Sequence, residues 1–374
     1  MDYKIKKNIK DFSAYCYAVP PEGASDIPPD KLIDCSLGIN PYGYSDYIGV
    51  EKLFEQIKAG HILNDYPDVA YNKIREDICL SFEKICPIKK ENFRVGTGTI
   101  GILEKLTQLF VEKDTKALGF CPQFPSFRIN VMLCGGRVDG VLLREENNYK
   151  IDVEEIIENI NSDYKLIYID NPSNPTGQII PIESIRKLTK LAKESGVFVI
   201  VDEAYGDFME KKNSAVNIIN EFDNIAVIRS ASKAYGLAGL RFGYLVADQR
   251  FLKEYDKIDT PFPVSSLSAT LFSSVLKDEK FLEDSRKKVS IIKKETIDSF
   301  RKIKVWETGD TVPIMIIEHP NKDLNLYEEF LKYNVFVEPY FAFENTGKNC
   351  VRMRVLAEPE RIIKIIKQLE ESIK

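Results

Sequence analysis

Ser230-Ala231-Ser232-Lys233-Ala234-Tyr235-Gly236-Leu237-Ala238-Gly239-Leu240-Arg241-Phe242-Gly243-Tyr244 follows, after Arg229, on the stretch 224–228, which reads as a strand. Two similar stretches lie upstream. Leu166-Ile167-Tyr168-Ile169 runs into Asp170-Asn171-Pro172-Ser173-Asn174-Pro175-Thr176-Gly177, and Val197-Phe198-Val199-Ile200-Val201 ends on Asp202-Glu203-Ala204-Tyr205. These apolar runs are too continuous for half-exposed strands and suit a sheet covered by helices on both faces. In a mostly parallel sheet, ligands gather at the C-terminal ends of strands, so three polar clusters at three such ends are expected to share one site.

Taken singly, each cluster has a plainer explanation. Asn174-Pro175-Thr176-Gly177 is turn chemistry, an aspartate at a strand end often caps the next helix, and a lysine after a serine-rich turn is more often exposed than catalytic. Together they supply complementary groups for one ligand, pyridoxal 5′-phosphate (PLP). Its aldehyde needs a lysine amine, here Lys233, for a Schiff base. Its pyridine nitrogen needs an acid to stay protonated, here Asp202, so that the ring can accept electrons. Its phenolate oxygen needs donors, matched by Asn174 and Tyr205, and its phosphate needs hydroxyls and a cation, matched by Ser230, Ser232 and Arg241.

A further piece precedes these. Gly96-Thr97-Gly98-Thr99-Ile100-Gly101 fits G-x-G-x-x-G after a short strand and before a helix. A dinucleotide site would carry an acid at the end of the next strand, but 116–120 ends in Cys121-Pro122-Gln123-Phe124. The phosphate-binding half of the motif survives, with the backbone of Gly98, Thr99 and Ile100 as donors.

Composition narrows the chemistry. The chain has 374 residues, a net charge of −5 and interleaved charges, which argues against a nucleic-acid surface. No stretch approaches the ~18 apolar residues of a membrane span. Met1-Asp2-Tyr3-Lys4-Ile5-Lys6-Lys7 has no apolar signal core, so a cytoplasmic location is expected. Seven cysteines (16, 35, 79, 86, 121, 134 and 350) with no C-x-x-C spacing read as reduced thiols. His61 and His319, the two histidines, have no metal-ligand spacing, so no metal site is expected. Lysine, carboxylates, tyrosine or a cofactor must therefore do any chemistry.

The expected fold class is α/β: a large PLP-binding domain with a mostly parallel sheet between helices, plus a smaller α+β domain built from the C-terminal part and the N-terminal arm. Helices are expected over 71–86, 99–112, 181–195 and 358–373, and strands over 116–120, 137–143, 165–169, 197–201, 224–228 and 242–247. Boundaries are set at 1–45 for the arm, 46–255 for the large domain and 256–374 for the small one.

Gly38-Ile39-Asn40-Pro41-Tyr42-Gly43, Tyr66-Pro67-Asp68, Cys350-Val351-Arg352-Met353-Arg354-Val355 and, above all, 230–244 stand in an order and spacing that resemble fold-type I PLP enzymes of aminotransferase class I/II. The similarity is greatest to the branch holding histidinol-phosphate aminotransferase and threonine-phosphate decarboxylase. It implies that Phe124 stacks on the pyridine ring, that Tyr66 of a partner subunit reaches the phosphate in a homodimer, that Arg352 grips a substrate carboxylate, and that Asn40 lines the substrate pocket. It also implies an amino donor and a keto-acid acceptor, with Lys233 moving the proton. Transamination is the leading expectation; decarboxylation on the same scaffold is the alternative. A regulatory PLP-binding module is disfavoured because no basic helix-turn-helix precedes the motifs, and a purely structural protein would show no lysine–PLP absorbance.

The sequence departs from that branch at one place. Fourteen residues before Arg352, where relatives carry a second arginine, stands Glu338. An anion there is expected to disfavour phosphorylated substrates and to favour a cationic or hydrogen-bond-donating end.

Overall fold

The computed structural model describes residues 4–10, 12, 28 and 31–372. Its strands in chain order are β1 (Ile33–Asp34), β2 (Phe93–Thr97), β3 (Lys116–Cys121), β4 (Arg137–Leu142), β5 (Tyr164–Asp170), β6 (Phe198–Glu203), β7 (Ile225–Ser230), β8 (Phe242–Ala247), β9 (Lys304–Val305), β10 (Ile314–Glu318), β11 (Val335–Phe336), β12 (Glu338–Pro339) and β13 (Cys350–Arg354). A seven-stranded sheet runs β2-β8-β7-β6-β5-β3-β4. Its β4, β3, β5, β6 and β7 are parallel, and β8 is antiparallel to both β7 and β2. A four-stranded sheet runs β12-β13-β10-β9, and β1 pairs in parallel with β11.

Alternation along the central strands decides what each residue becomes. Leu166, Tyr168, Ile200, Ala226 and Ile228 pack against Ile102, Leu103 and Leu106 of the helix Gly98–Phe110. The intervening Ile167, Ile169, Val199, Val201 and Val227 belong to the other, larger core. Successive side chains on a strand point to opposite faces, so Asp202 and Glu203 part company although they are neighbours. Glu203 joins Arg229 and Asp207 in a buried ion cluster, with Arg229 Nη2 2.7 Å from Asp207 Oδ1 and the Ser214 hydroxyl donating to Glu203 at 2.6 Å. Arg229 supplies the cation without which both carboxylates would stand buried and uncompensated.

The reversal at β8 shapes the segment quoted first. Ser230 pairs with Gly243 across β7 and β8, and the Ala231 N–H donates to the Phe242 carbonyl at 3.0 Å. Residues 231–241 are thereby closed into a loop over the sheet end. Buried Lys293, on the helix Glu279–Asp298, donates to the carbonyls of Gly309, Val312 and Ile314 at 2.7, 2.8 and 2.9 Å. The Gly309 N–H in turn donates to the Gly177 carbonyl at 3.0 Å, which fastens the loop carrying Asn174.

Most expected elements are found with ends shifted by a residue or two. The helix expected over 71–86 is the exception, ending four residues early as Asn72–Phe82, and the C-terminal helix begins at Glu360 rather than 358. Pro359 accounts for the latter, since a residue preceding proline is pushed out of the helical region. Residue 373 lies outside the described residues, as do 1–3, 11, 13–27 and 29–30 of the expected arm and Cys16. The six described cysteines are free thiols. Among the described residues, no helix is long and apolar enough to cross a membrane.

Candidate active site

The C-terminal ends of β5, β6 and β7 lie side by side, with Asp170 opposite Asp202 and Asp202 opposite Ile228. Asp170, Asp202 and Ser230 therefore share one face, two residues beyond the apolar layer that packs on the helix Gly98–Phe110. There they border a cavity of about 250 Å³, lined also by Thr99, Ile100, Phe124, Asn174, Tyr205, Ser232, Lys233 and Arg241. Pro172, Ala204, Ala238 and, from the N-terminal segment, Leu37 and Ile39 complete the walls.

Asp202 is held from two sides. Its Oδ2 accepts from the Tyr168 hydroxyl at 2.9 Å and its Oδ1 from the Ala204 N–H at 2.9 Å. Burial pushes its carboxyl up to about 6. A carboxylate so placed favours a cation opposite it. Burial lowers the Lys233 amine to about 7, helped by the charges of Arg352 and Arg241, so an unprotonated nucleophile is available near neutrality. Its Nζ lies 5.3 Å from the centre of the Tyr205 ring. The Tyr205 hydroxyl packs so closely on Gly38 that no Cβ could be added there.

An anion cradle occupies the other end. The Ser232 N–H donates to Ser230 Oγ at 3.0 Å, and Arg241 Nη1 reaches Ser232 Oγ at 3.4 Å. Gly98 has φ +67°, and a Cβ on it would lie 2.8 Å from Arg241 Nη2, so only glycine admits the guanidinium at the helix start. A helix N-terminus beside hydroxyls and an arginine suits a phosphate. Amine, buried carboxyl, aromatic wall and anion cradle are the donor set that PLP requires, and they fit it.

Several expected residues lie elsewhere. Asn40 does not line the cavity: its N–H donates to the Lys233 carbonyl at 3.1 Å, and its amide donates to the Ala234 carbonyl at 2.7 Å and Ser285 Oγ at 3.0 Å. It thus holds the lysine loop. Tyr66 is 80% exposed and stacks on Phe262 at 4.6 Å, away from the cavity of its own chain. Gly98 stands behind Thr99 and Ile100.

Arg352 and Glu338 lie behind the cavity wall, directly opposed in the β12–β13 pairing. Arg352 Nη1 donates to Asn174 Oδ1 at 2.8 Å and Nη2 to the Ser36 carbonyl, while Glu338 Oε2 stands 3.4 Å from Nη2. Both side chains are essentially buried, which excludes a solvent-facing Glu338. Arg354 is on the same strand face but donates to the Asp34 carbonyl at 2.5 Å.

Asp170 was not singled out from the sequence. Its Oδ2 accepts from the N–H groups of Asn174 at 2.8 Å and Phe124 at 3.2 Å, and burial raises its carboxyl to about 7. Its place at a strand end, level with Asp202, was the available signal. Among the described residues, no group of three or more His, Cys, Asp or Glu is placed to hold a metal ion.

Residues 33–368 match the family described as aminotransferase class I and II. The chain belongs to that family. The histidinol-phosphate aminotransferase of Clostridium novyi is 32% identical over 303 residues, covering 80% of this chain and 81% of its own. The solved structure of the histidinol-phosphate aminotransferase from Clostridium acetobutylicum superposes with a TM-score of 0.80 at 25% identity, over 91% of this chain and all of that one. That of Sinorhizobium meliloti, solved in complex with pyridoxal 5′-phosphate, gives 0.84 at 18% identity over 100% and 99% of the two chains. This aminotransferase uses PLP, as its family does, and exchanges amino groups between amino and keto compounds. Transamination is favoured over the decarboxylase alternative by its relatives.

Proposed function

We propose that this aminotransferase holds PLP through Lys233 and that the residues around the cavity divide the work. The observation that carries this reading is the convergence of Lys233, Asp202 and the Ser230–Ser232–Arg241 cradle on one cavity of about 250 Å³. PLP, when bound, supplies an electron sink and a carbonyl carbon that takes the amino group. Asp202 keeps the pyridine nitrogen protonated, and Phe124 covers the ring. Asn174 and Tyr205 donate to the phenolate oxygen. Ser230, Ser232, Arg241 and the N–H groups at 98–100 hold the phosphate. The Lys233 amine would hold the cofactor and, when free, would be the base that takes the proton from the substrate Cα.

Borohydride reduction followed by peptide mapping should place the pyridoxyl mass on Lys233. A label on another lysine would sink the assignment.

The same proposal makes the working unit a cytoplasmic homodimer, each subunit with a large domain over 46–255 and a small one over 256–374 plus the arm. Tyr66 supports the dimer: it is 80% exposed and outside the lining of its own chain's cavity, as a tyrosine that serves a second copy's phosphate would be. Sedimentation should show a dimer, and Tyr66→Phe should weaken PLP binding by about ten-fold, the worth of one hydrogen bond to a charged group. A fully active monomer would remove Tyr66 from the site.

A further inference from the structure

Tyr168 stands on β5 two residues before Asp170, the residue paired with Asp202, so its side chain points to the same face as both. It lies outside the cavity lining. Its ring is completely buried and stacks on Phe127 of the helix Pro125–Leu133, with centroids 4.3 Å apart and planes 7° from parallel. That packing asks only for a phenyl ring. The hydroxyl does something more: it donates to Asp202 Oδ2 at 2.9 Å.

A phenol in that place stays a donor, because burial and the Asp202 charge raise it well above its ordinary range. Donation to a carboxylate favours its charged form. Burial opposes that charge on Asp202; the Ala204 N–H and then the Tyr168 hydroxyl restore it, with Glu203 adding to the opposition and Lys233 to the support. A proton lying between Asp202 and the pyridine nitrogen goes to the more basic of the two. Each hydrogen bond that the carboxylate accepts makes it less basic and leaves the proton on nitrogen. A backbone N–H is available at 204 from any residue but proline, whereas the phenol is peculiar to Tyr168.

We propose that Tyr168 is a positioning residue for the reaction: its hydroxyl, acting through Asp202, keeps the shared proton on the pyridine nitrogen of the cofactor. Tyr168 itself touches neither cofactor nor substrate. This rests on the reading of Asp202 as the partner of that nitrogen.

Tyr168→Phe keeps the stacked ring and removes the hydroxyl. Wild type and variant are loaded with PLP isotope-labelled at the ring nitrogen, and the nitrogen NMR resonance, which differs widely between protonated and unprotonated pyridine, is compared. The wild-type resonance should sit at the protonated position. The variant should move toward the unprotonated one, a change of about ten- to a hundred-fold in the distribution of the proton, the worth of one hydrogen bond to a charged group. Asp202→Asn should move the resonance at least as far. Adding Tyr168→Phe to it should change nothing more, since the hydroxyl acts through the carboxylate. The phosphorus resonance of the cofactor should be the same in wild type and Tyr168→Phe.

A nitrogen resonance unmoved in Tyr168→Phe but moved in Asp202→Asn would overturn the role of Tyr168 and leave that of Asp202 standing. One unmoved in Asp202→Asn would take Asp202 away from the ring nitrogen, and this proposal with it. A displaced phosphorus resonance, or failure of Tyr168→Phe to take up PLP, would reduce the tyrosine to packing.

Discussion

Lys233→Ala should lower transamination at least ~1,000-fold, because it removes both the nucleophile that tethers the cofactor and the base that moves the proton. The rest of the site should persist. Ser230 Oγ still accepts from the residue 232 N–H, Arg241 still faces the helix start, and PLP should bind without a covalent bond. The measurement is keto-acid formation with an amine-free buffer, paired with the absorbance spectrum of bound cofactor. Turnover within ten-fold of the wild type would mean that another lysine does this work.

Asp202→Ala should cost roughly 3–5 kcal/mol of the interaction that keeps the pyridine nitrogen charged, since a buried ion pair broken on one side leaves the other charge uncompensated. That corresponds to about 150- to 5,000-fold in rate. Asp202→Asn separates this role from a plainer one. The amide oxygen can still accept from the Ala204 N–H, as Asp202 does at 2.9 Å, so a mere cap would survive the change. Activity of Asp202→Asn within a few-fold of wild type would reduce Asp202 to that cap.

What the sequence made legible follows from what is local. The strands β5, β6 and β7 announce themselves as apolar runs, and the polar residues at their ends line one cavity because parallel neighbours end together. Lys233, Asp202, Ser230 and Arg241 could be read for that reason. Asp170 could not be separated from turn residues, because its partners, the N–H groups of Phe124 and Asn174, lie 46 and 4 residues away. The hold of Asn40 on the lysine loop was hidden for a related reason: 194 residues separate it from the Ala234 carbonyl it binds. Glu338 was legible as an anomaly but not as half of a pair, since only the β12–β13 register sets it opposite Arg352.

The shared carboxylate of Asp170 has a consequence for how such a pocket can change. Phe124 forms one wall and Asn174, the neighbour of Arg352, forms another, and both hang from the same oxygen. The two walls are therefore a single mechanical piece. A substitution that shifts the loop at 171–174 to admit a new donor drags the aromatic wall with it, so new specificity and altered cofactor geometry arrive together. Variation at β12, across the strand pairing from Arg352, escapes that linkage. It can retune the charge behind the Asn174 wall while the Phe124 wall stays where it is.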